Sequence, residues 1–383
     1  MRQAVVFSGT AYPELTQMIC EHLGTRAGPM NIKQYANHEK SIDIGMSVRD
    51  KDVYIVQSGA NLVNDSIMEL LIMIHSCRIA SARKITAVLP YIPYSKQSKK
   101  KKKRGPITAK LLANMLSVAG VNHVITMDLH ASQMQGFYQK PIDNLYAEPC
   151  IARWISQHIP DYQQAVVVAK NAGGTKRVTS LADRLQVDFA LIHSDRSGRV
   201  HICSPSTEQF ESALVSRNSP NAELTESEDE ENVTDCEEDT VASFAQLNAA
   251  AQRLVQNANH NHSNAPRMTL VGDVKDRVVL LMDDMIDSTH SYLNAAHFLK
   301  SQCGAQAVYI IAIHGILSGT ALDNVQHCPD VDKLIITNSL PVAPRYQQSI
   351  SKLHIIDISH VFAEAIRRTH NGESISYLFQ HAI

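Results

Sequence analysis

Short runs of Val and Ile, each separated from the next by a helical pattern, are the feature that most constrains the fold of this chain. Continuous apolar strands that alternate with helices are typical of a parallel sheet covered on both faces. The runs are too many for one small sheet, so we predict an α/β chain of two tandem domains, 1–145 and 146–383. The helical patterns include 67–82, 107–119 and 293–304. The strand candidates are Val53–Gln57, Ile85–Leu89, His123–Met127, Ala165–Ala169, Phe189–His193, Val278–Met282, Val308–Ile313, Leu334–Thr337 and His354–Ile358.

Residues 198–264 interrupt this pattern. The segment is rich in Ser, Asn, Glu and Asp, and it ends in the polar stretch NANHNHSN. Such a composition cannot bury enough apolar surface to order itself, so we expect a disordered acidic insertion. It divides the second domain into 146–197 and 265–383. The alternative for part of it is a short recognition helix at Ser243–Gln256.

Charge and cysteine usage exclude several classes of protein. Lys and Arg number 36 against 38 Asp and Glu, so we expect no general field for capturing nucleic acid. No apolar run is long enough to span a bilayer, and the N-terminus shows no secretory signal. The 7 cysteines are scattered without a CxxC pair, which fits a reducing compartment. We therefore expect a cytoplasmic protein that binds neither nucleic acid nor membrane.

The stretch LLMDDMIDSTHSYLNAA, Leu280–Ala296, is the most specific local motif. An apolar strand is followed by the carboxylates of Asp283 and Asp284, then by a polar loop and a helix. Amide groups at such a helix start form a site for a phosphate dianion, and the carboxylates can hold two ribose hydroxyls. The alternative is a purely structural role, in which Asp and Ser only cap the helix. That role does not explain two carboxylates directly after a buried strand.

A second motif is TMDLHASQMQGF, Thr126–Phe137. If the strand continues, Asp128 and His130 lie on the same side of it, two residues apart. Asp128 could bind Mg²⁺ through oxygen, and His130 could contact nucleotide phosphates. A single His at a strand end is more often structural.

Two further motifs are weaker. The basic run Lys99–Arg104 could close over ATP phosphates, but its composition alone favours a solvated loop or a nuclear import signal. The turn at Gly173–Gly174, followed by Lys176 and Arg177, lets backbone approach an anion closely.

Together these segments resemble the phosphoribosyl pyrophosphate synthetase family over nearly the whole chain. The strongest anchors are MDLHASQMQGF, VDFALIH, VGDVKDRVVLLMDDM and EAIRRTHNGESISYLF. The resemblance implies two phosphoribosyltransferase-type α/β domains, with the last helix packing back on the N-terminal domain. It implies transfer of the diphosphoryl group of ATP to the 1-hydroxyl of ribose 5-phosphate with Mg²⁺. It also implies assembly with other synthetase subunits into hexamers or larger species.

Many functional positions of the family are kept. The resemblance assigns Asp128 and His130 to the metal and nucleotide site. ATP contacts fall on Tyr35, Asn37, Glu39, Gln97 and, in place of a family Arg, Lys96. Ribose 5-phosphate contacts fall on Asp283, Asp284, Asp287, Ser288, Thr289, His290 and Ser291. Positions associated with allosteric phosphate or nucleotide binding are Ser47, Arg49, Ser81, Arg104, Gln135 and Asn144.

The departures from the family cluster at the chemistry. Asn171 replaces an Asp that helps to hold the metal, and Ser194 replaces a catalytic Lys. The family loop Asp-Thr-x-Gly-Thr has His290 in place of its Gly, which adds a side chain where the backbone wraps a phosphate. The insertion begins just after Ser194 and Arg196, both of which we place at the catalytic loop. The pattern is similar to insertion-bearing fungal subunits and synthetase-associated proteins.

Three functions remain open on the sequence. The first is a regulatory or supporting subunit of a synthetase complex with an impaired active site. The second is a fully active synthetase that uses substitute cations such as Lys176, Arg196 or the lysine run. The third is a phosphoribosyltransferase, which the loop 283–291 alone would suggest but which leaves the matching N-terminal half unexplained.

Overall fold

The computed structural model describes residues 3–59, 62–100, 104–195 and 267–380. The insertion predicted at 198–264 lies outside the described residues, as does Arg196. Within the described ranges, no helix combines the length and apolar character that a membrane span requires.

The N-terminal half contains a five-stranded parallel sheet in the order β1-β4-β5-β6-β7 and a separate antiparallel hairpin, β2–β3. The strands are β1 Ala4–Ser8, β2 Met30–Gln34, β3 Lys40–Ile44, β4 Asp52–Val56, β5 Lys84–Leu89, β6 His123–Met127 and β7 Ile142–Leu145. The helices are α1 Pro13–His22, α2 Val63–Ile79, α3 Thr108–Ala119 and α4 Glu148–His158. Short 3₁₀ turns occur at Ser95–Gln97 and Ser132–Phe137.

The remaining strands form a seven-stranded sheet in the order β10-β9-β8-β11-β12-β13-β14. They are β8 Val166–Ala169, β9 Asp188–Asp195, β10 Arg267–Val271, β11 Val278–Ile286, β12 Ala307–Gly315, β13 Lys333–Thr337 and β14 Leu353–Ile356. The pair β9–β10 is antiparallel, whereas β8–β9, β8–β11, β12–β13 and β13–β14 are parallel. The helices are α5 Thr175–Leu185, α6 His290–Ser301, α7 Ala321–His327, α8 Pro344–Ser349, α9 Ser359–Asn371 and α10 Tyr377–Gln380.

The chain divides into two compact units. The first comprises 1–162, 283–293 and 309–383, and the second comprises 163–282 and 294–308. Strands β11 and β12 each cross a boundary of this division. In the first unit the core of the five-stranded sheet packs apolar side chains of its strands against α2 and α3, which bury Met73, Ile74 and Leu116 completely.

Local sequence explains why the elements end where they do. Helix α3 stops at Gly120, whose φ of +116° lies in a region that favours glycine, and a Cβ there would meet the Arg78 side chain at 2.3 Å. Pro13 occupies the first position of α1, where its missing N–H costs nothing. Every predicted strand run overlaps an observed strand, so the predicted α/β class is confirmed.

Candidate active site

An exposed turn joins β2 to β3 and carries the first group of predicted site residues. The backbone closes it tightly: Tyr35 N–H donates to the Glu39 carbonyl at 2.8 Å, and His38, with φ +67°, donates to the Tyr35 carbonyl at 2.9 Å. The Asn37 side chain accepts from Glu39 N–H at 3.2 Å. The Tyr35 side chain is 57% exposed. We call Tyr35–Glu39 the exposed turn.

A buried carboxylate anchors this hairpin. Glu69 on α2 is completely buried and forms an ion pair with Lys40, the residue directly after the exposed turn. Glu69 also accepts from Thr10 N–H and Oγ1, both at 2.6 Å, and from Gln57 Nε2 at 2.9 Å. Burial acts to raise the pKa of Glu69, but the Lys40 and Thr10 hydrogen bonds outweigh it and leave that pKa lowered. The carboxylate is therefore held as an anion.

The loop after β5 presents the second group. Tyr94 adopts a left-handed conformation, φ +61°, and the next residues form the 3₁₀ turn with Lys96 and Gln97. Gln97 Oε1 accepts from Thr108 Oγ1 at 2.6 Å, which ties the loop to the first residue of α3. Both Lys96 and Gln97 are exposed.

A cavity of about 430 Å³ lies beside this loop. It is lined by Lys96 and Gln97, by Tyr91 from the same loop, and by Asp287 and Ser318. The structure thus brings predicted ATP-contacting residues and a predicted sugar phosphate residue to one cavity within the first unit.

Asp128 and His130 differ from the expectation of a continuing strand. Strand β6 ends at Met127, and Asp128 has φ +41°, so the chain turns before His130. Asp128 is 6% exposed, and its Oδ2 accepts from Ala147 N–H at 2.7 Å, just before α4. Asn144 is 7% exposed, and its Oδ1 accepts from Leu129 N–H at 3.1 Å. These bonds fix the loop from which His130 projects.

The adjacent carboxylates of Asp283 and Asp284 lie inside β11, which continues to Ile286, and not beyond its end as predicted. The strand extends further because Met285 and Ile286, which follow the two carboxylates, are themselves buried apolar residues. Asp284 is 5% exposed, and its Oδ2 lies 2.6 Å from His130 Nδ1. Since a carboxylate only accepts, Nδ1 of His130 carries the proton in this bond.

Asp283 accepts hydrogen bonds from its neighbour along the strand and from helix α6. Its Oδ1 accepts from Asp284 N–H at 3.0 Å, and its Oδ2 accepts from Tyr292 Oη at 2.7 Å. Tyr292 lies in the first turn of α6 and is 3% exposed. The sequence motif contained this tyrosine, but it carried no signal that its hydroxyl would meet Asp283.

The rest of the acidic loop, defined as Asp283–Ser291, leads into α6. Asp287 Oδ1 accepts from Ser318 N–H at 3.3 Å. Ser288, His290 and Ser291 are exposed, whereas Thr289 is only 2% exposed and its carbonyl accepts the Tyr292 N–H at 3.0 Å. Helix α6 begins at His290, so the residue in place of the family Gly has a helical backbone and not a left-handed one.

The second unit holds the other substituted positions. Asn171 follows β8, and its Oδ1 accepts from Gly174 N–H at 3.2 Å, which caps the Gly173–Gly174 turn. Ser194 lies in β9, where its backbone pairs with Met268 of β10. Arg196, the other predicted catalytic residue, lies outside the described residues.

The predicted allosteric positions other than the buried Asn144 lie in several turns and loops of the first unit. Ser47 and Arg49 are exposed in the turn before β4. That turn meets the one at Ser81, whose carbonyl accepts from Asp50 N–H at 3.0 Å. Arg104 is exposed in the loop before α3, and Gln135 lies in the 3₁₀ turn after His130.

A buried His that the motifs did not indicate supports the loop after β6. His314 on β12 is 2% exposed, and its Nε2 lies 3.2 Å from both the Met127 and Asp128 carbonyl oxygens. Its Nδ1 lies 2.8 Å from Ser339 Oγ, and its ring is 5.0 Å from that of Tyr91. Burial first, and then the charges of Asp284 and Asp287, raise the pKa of Tyr91 to about 12, so its phenol stays protonated.

Comparison with known proteins decides the family. A model described as the N-terminal domain of ribose phosphate pyrophosphokinase matches residues 4–120, and one described as the phosphoribosyl synthetase-associated domain matches 161–380. A ribose-phosphate pyrophosphokinase 1 from Schizosaccharomyces pombe is 44% identical over 100% of both chains.

The chain belongs to the ribose-phosphate pyrophosphokinase family. This is the phosphoribosyl pyrophosphate synthetase family of the sequence analysis, so that resemblance is confirmed. A second family member, ribose-phosphate pyrophosphokinase 1 of Saccharomyces cerevisiae, is 41% identical over 99% of each chain. The crystal structure of a phosphoribosylpyrophosphate synthetase from Mycobacterium smegmatis is similar with a TM-score of 0.75 at 28% identity, covering 97% of this chain and 100% of that one.

Proposed function

We propose that this pyrophosphokinase family member is a regulatory or supporting subunit of a complex that makes 5-phosphoribosyl 1-pyrophosphate from ATP and ribose 5-phosphate. Its own active site is impaired, and other synthetase subunits of a hexamer or larger assembly supply most of the turnover. The complex works in the cytoplasm. Domains 1–145 and 146–383 would carry the ATP side and the ribose 5-phosphate side.

One observation carries the proposal. The chain is similar to ribose-phosphate pyrophosphokinases over its full length, yet its departures fall together on positions that the family uses for chemistry. Ser194 stands in place of a Lys, so a fixed cation for the transferring diphosphoryl group is missing. Losing one such preorganised contact costs on the order of 10²–10³ in rate. Asn171 and His290 alter the metal and phosphate contacts as well.

The retained residues support substrate binding. The exposed turn would present Tyr35, Asn37 and Glu39 to an adenine. Lys96 and Gln97 line the cavity next to the loop after β5. His130 uses Nδ1 for Asp284, which leaves Nε2 as the ring nitrogen to meet a nucleotide phosphate. Asp283 and Asp287 would accept hydrogen bonds from the ribose hydroxyls, and Asp287 also accepts from the Ser318 N–H. The surface turns with Arg49, Ser81 and Arg104 would bind an allosteric anion.

The donor set fits Mg²⁺ that is carried mainly by the nucleotide. Within the described ranges, no group of three or more His, Cys, Asp or Glu side chains could hold a metal ion by itself. Mg²⁺ typically takes one or two carboxylates and completes its shell with substrate phosphates and waters. Asp128 and His130 would hold it, and the family Asp that would add a further charge is replaced by Asn171 in this chain. Bound Mg²⁺ would neutralise charge on the transferring phosphates.

The test is an assay of the purified chain with ATP, Mg²⁺ and ribose 5-phosphate, alone and then mixed with an active partner synthetase. We expect little turnover alone and a rise above the partner's own rate in the mixture. Turnover alone that equals an ordinary family enzyme would favour the alternative of a fully active synthetase with substitute cations. An assay with nucleobases and 5-phosphoribosyl 1-pyrophosphate tests the remaining alternative, a phosphoribosyltransferase.

A further inference from the structure

We propose that Tyr292 is a positioning residue that holds the Asp283 carboxylate ready for ribose 5-phosphate. The inference rests on the proposed function, because it takes Asp283 as a ligand of the sugar. It goes further because it assigns the orientation of the Asp283 carboxylate in part to Tyr292, a residue outside the acidic loop.

The geometry places one buried hydroxyl between two acceptors. Tyr292 Oη lies 2.7 Å from Asp283 Oδ2 and 2.7 Å from the Met285 carbonyl oxygen. The ring is 3% exposed and is fixed at the start of α6, where Tyr292 N–H donates to the Thr289 carbonyl at 3.0 Å. Burial of the ring restricts the phenol to this orientation.

The hydroxyl has one proton and can donate to only one acceptor at a time. A hydrogen bond to a carboxylate is roughly twice as strong as one to a neutral carbonyl, so we expect the proton on Asp283 when the site is empty. The bond to Asp283 persists when a sugar hydroxyl also donates to this carboxylate, because each carboxylate oxygen accepts more than one donor. The ring does not have to move.

This arrangement positions the carboxylate and does not block it. A carboxylate offers about four lone-pair sites. The Asp284 N–H donates to Asp283 Oδ1, and the Tyr292 hydroxyl donates to Asp283 Oδ2. They fix the orientation of the group before the sugar arrives, which lowers the cost of ordering it on binding.

Calorimetric titration of the full-length chain with ribose 5-phosphate, and separately with Mg·ATP, tests the proposal. For Tyr292→Phe, which keeps the ring, we expect the Kd for ribose 5-phosphate to rise about 3- to 10-fold. The Kd for Mg·ATP should stay the same. Tyr54→Phe is the matched control, since Tyr54 is 1% exposed and its hydroxyl has no hydrogen-bond partner among the described residues. It should change neither constant.

Equal Kd values for ribose 5-phosphate in the wild type and Tyr292→Phe would overturn the proposal, as would equal weakening of both ligands, which is the sign of a purely structural role. If Tyr292→Phe does not fold, site-specific 3-fluorotyrosine at position 292 decides. That stronger donor should shift the Kd for ribose 5-phosphate and not the Kd for Mg·ATP, and no shift in either overturns the proposal. A wild-type chain that fails to bind ribose 5-phosphate at all would refute the sugar half of the proposed function instead.

Discussion

The exposed turn and the acidic loop use their functional side chains in different ways. In the turn, backbone hydrogen bonds and the buried Lys40–Glu69 pair fix the shape, so Tyr35 can remain 57% exposed. In the acidic loop the carboxylates are themselves part of the support, because Asp283 accepts from Tyr292 and Asp284 from His130. In the turn, Asn37 also bonds to the Glu39 N–H, but most of the support comes from the backbone and the Lys40–Glu69 pair. In the acidic loop the ligand carboxylates themselves take part in the support.

This difference explains how the chain can change at one region and keep the other. A ligand residue with no structural contacts can be retained or lost without cost to the fold. Carboxylates that also hold a loop are retained for stability even when chemistry is lost around them. Retention of Asp283 and Asp284 is therefore weaker support for activity than retention of Tyr35 and Glu39.

The largest effect should come from restoring the chemical positions. The triple change Ser194→Lys, Asn171→Asp and His290→Gly returns the cation, the carboxylate and the flexible backbone together. We expect turnover of the isolated chain to rise about 10²-fold or more, because the missing cation alone is worth that much. A coupled assay for 5-phosphoribosyl 1-pyrophosphate measures it.

A control for this prediction is His297→Gly, which changes another histidine of α6 further along the helix. It should give no rise in turnover. If the triple change folds and still shows no gain in turnover or in ribose 5-phosphate affinity, the impairment does not reside at these positions, and the contrast between the two regions loses its functional meaning.

The second prediction tests the support of the exposed turn. Lys40→Met leaves the Glu69 anion buried with three neutral donors and no cation. We expect unfolding to become easier by about 2–3 kcal/mol, which is less than the full cost of an uncompensated buried charge because those donors remain. Urea denaturation measures the loss. Lys33→Met, an exposed change on the same hairpin, should stay within about 0.5 kcal/mol of the wild type.

The Lys40 effect should depend on pH. The pKa of Glu69 is lowered in the folded protein. Its ionised form therefore contributes full stability above the ordinary Glu pKa, about 4.3, and that contribution is lost as the pH falls through the lower folded value. The difference between wild type and Lys40→Met should be complete at neutral pH and shrink below about pH 4. A difference that is constant down to pH 3 would contradict the ionic role of the pair.

The sequence predicted regular elements better than it predicted polar contacts. The runs of Val and Ile located most strands, since continuous burial requires them. Strands β1 and β7 and the β2–β3 hairpin were missed. The hairpin, with MNIKQ and KSIDI, alternates weakly, and IDNL of β7 is not a continuous apolar run. At the site, the motif around Asp283 was visible. The bonds from Tyr292 and His130 were not, because they join residues whose proximity depends on the folded sheet.

The third prediction returns to the nucleotide side. Lys96 keeps the charge of the family Arg but lacks a planar guanidinium for stacking and paired hydrogen bonds. Lys96 is exposed at the cavity, so an Arg can be accommodated. We expect Lys96→Arg to lower the Kd for Mg·ATP about 2- to 5-fold and to leave ribose 5-phosphate binding unchanged, as calorimetry on the assembled oligomer would show. A Lys110→Arg change on α3 serves as the control. An equal gain in Mg·ATP affinity there would show that the effect does not depend on the position of the guanidinium at the cavity.

The smallest effect on folding should come from removing residues 200–263 and joining the ends with a short flexible linker. Strands β9 and β10 are antiparallel, and Asp195 is the direct partner of Arg267. The two ends therefore stand side by side, where a short turn can close them. Closure entropy changes by only about 0.6 kcal/mol for each doubling of loop length, so stability and assembly with a partner synthetase should barely change. We expect the deletion to change nucleotide inhibition instead, because the removed segment is rich in Glu and Asp. A Gly/Ser replacement of equal length separates composition from length. Failure of the shortened chain to fold or assemble would make the segment structural, and identical inhibition in all three proteins would exclude a regulatory role.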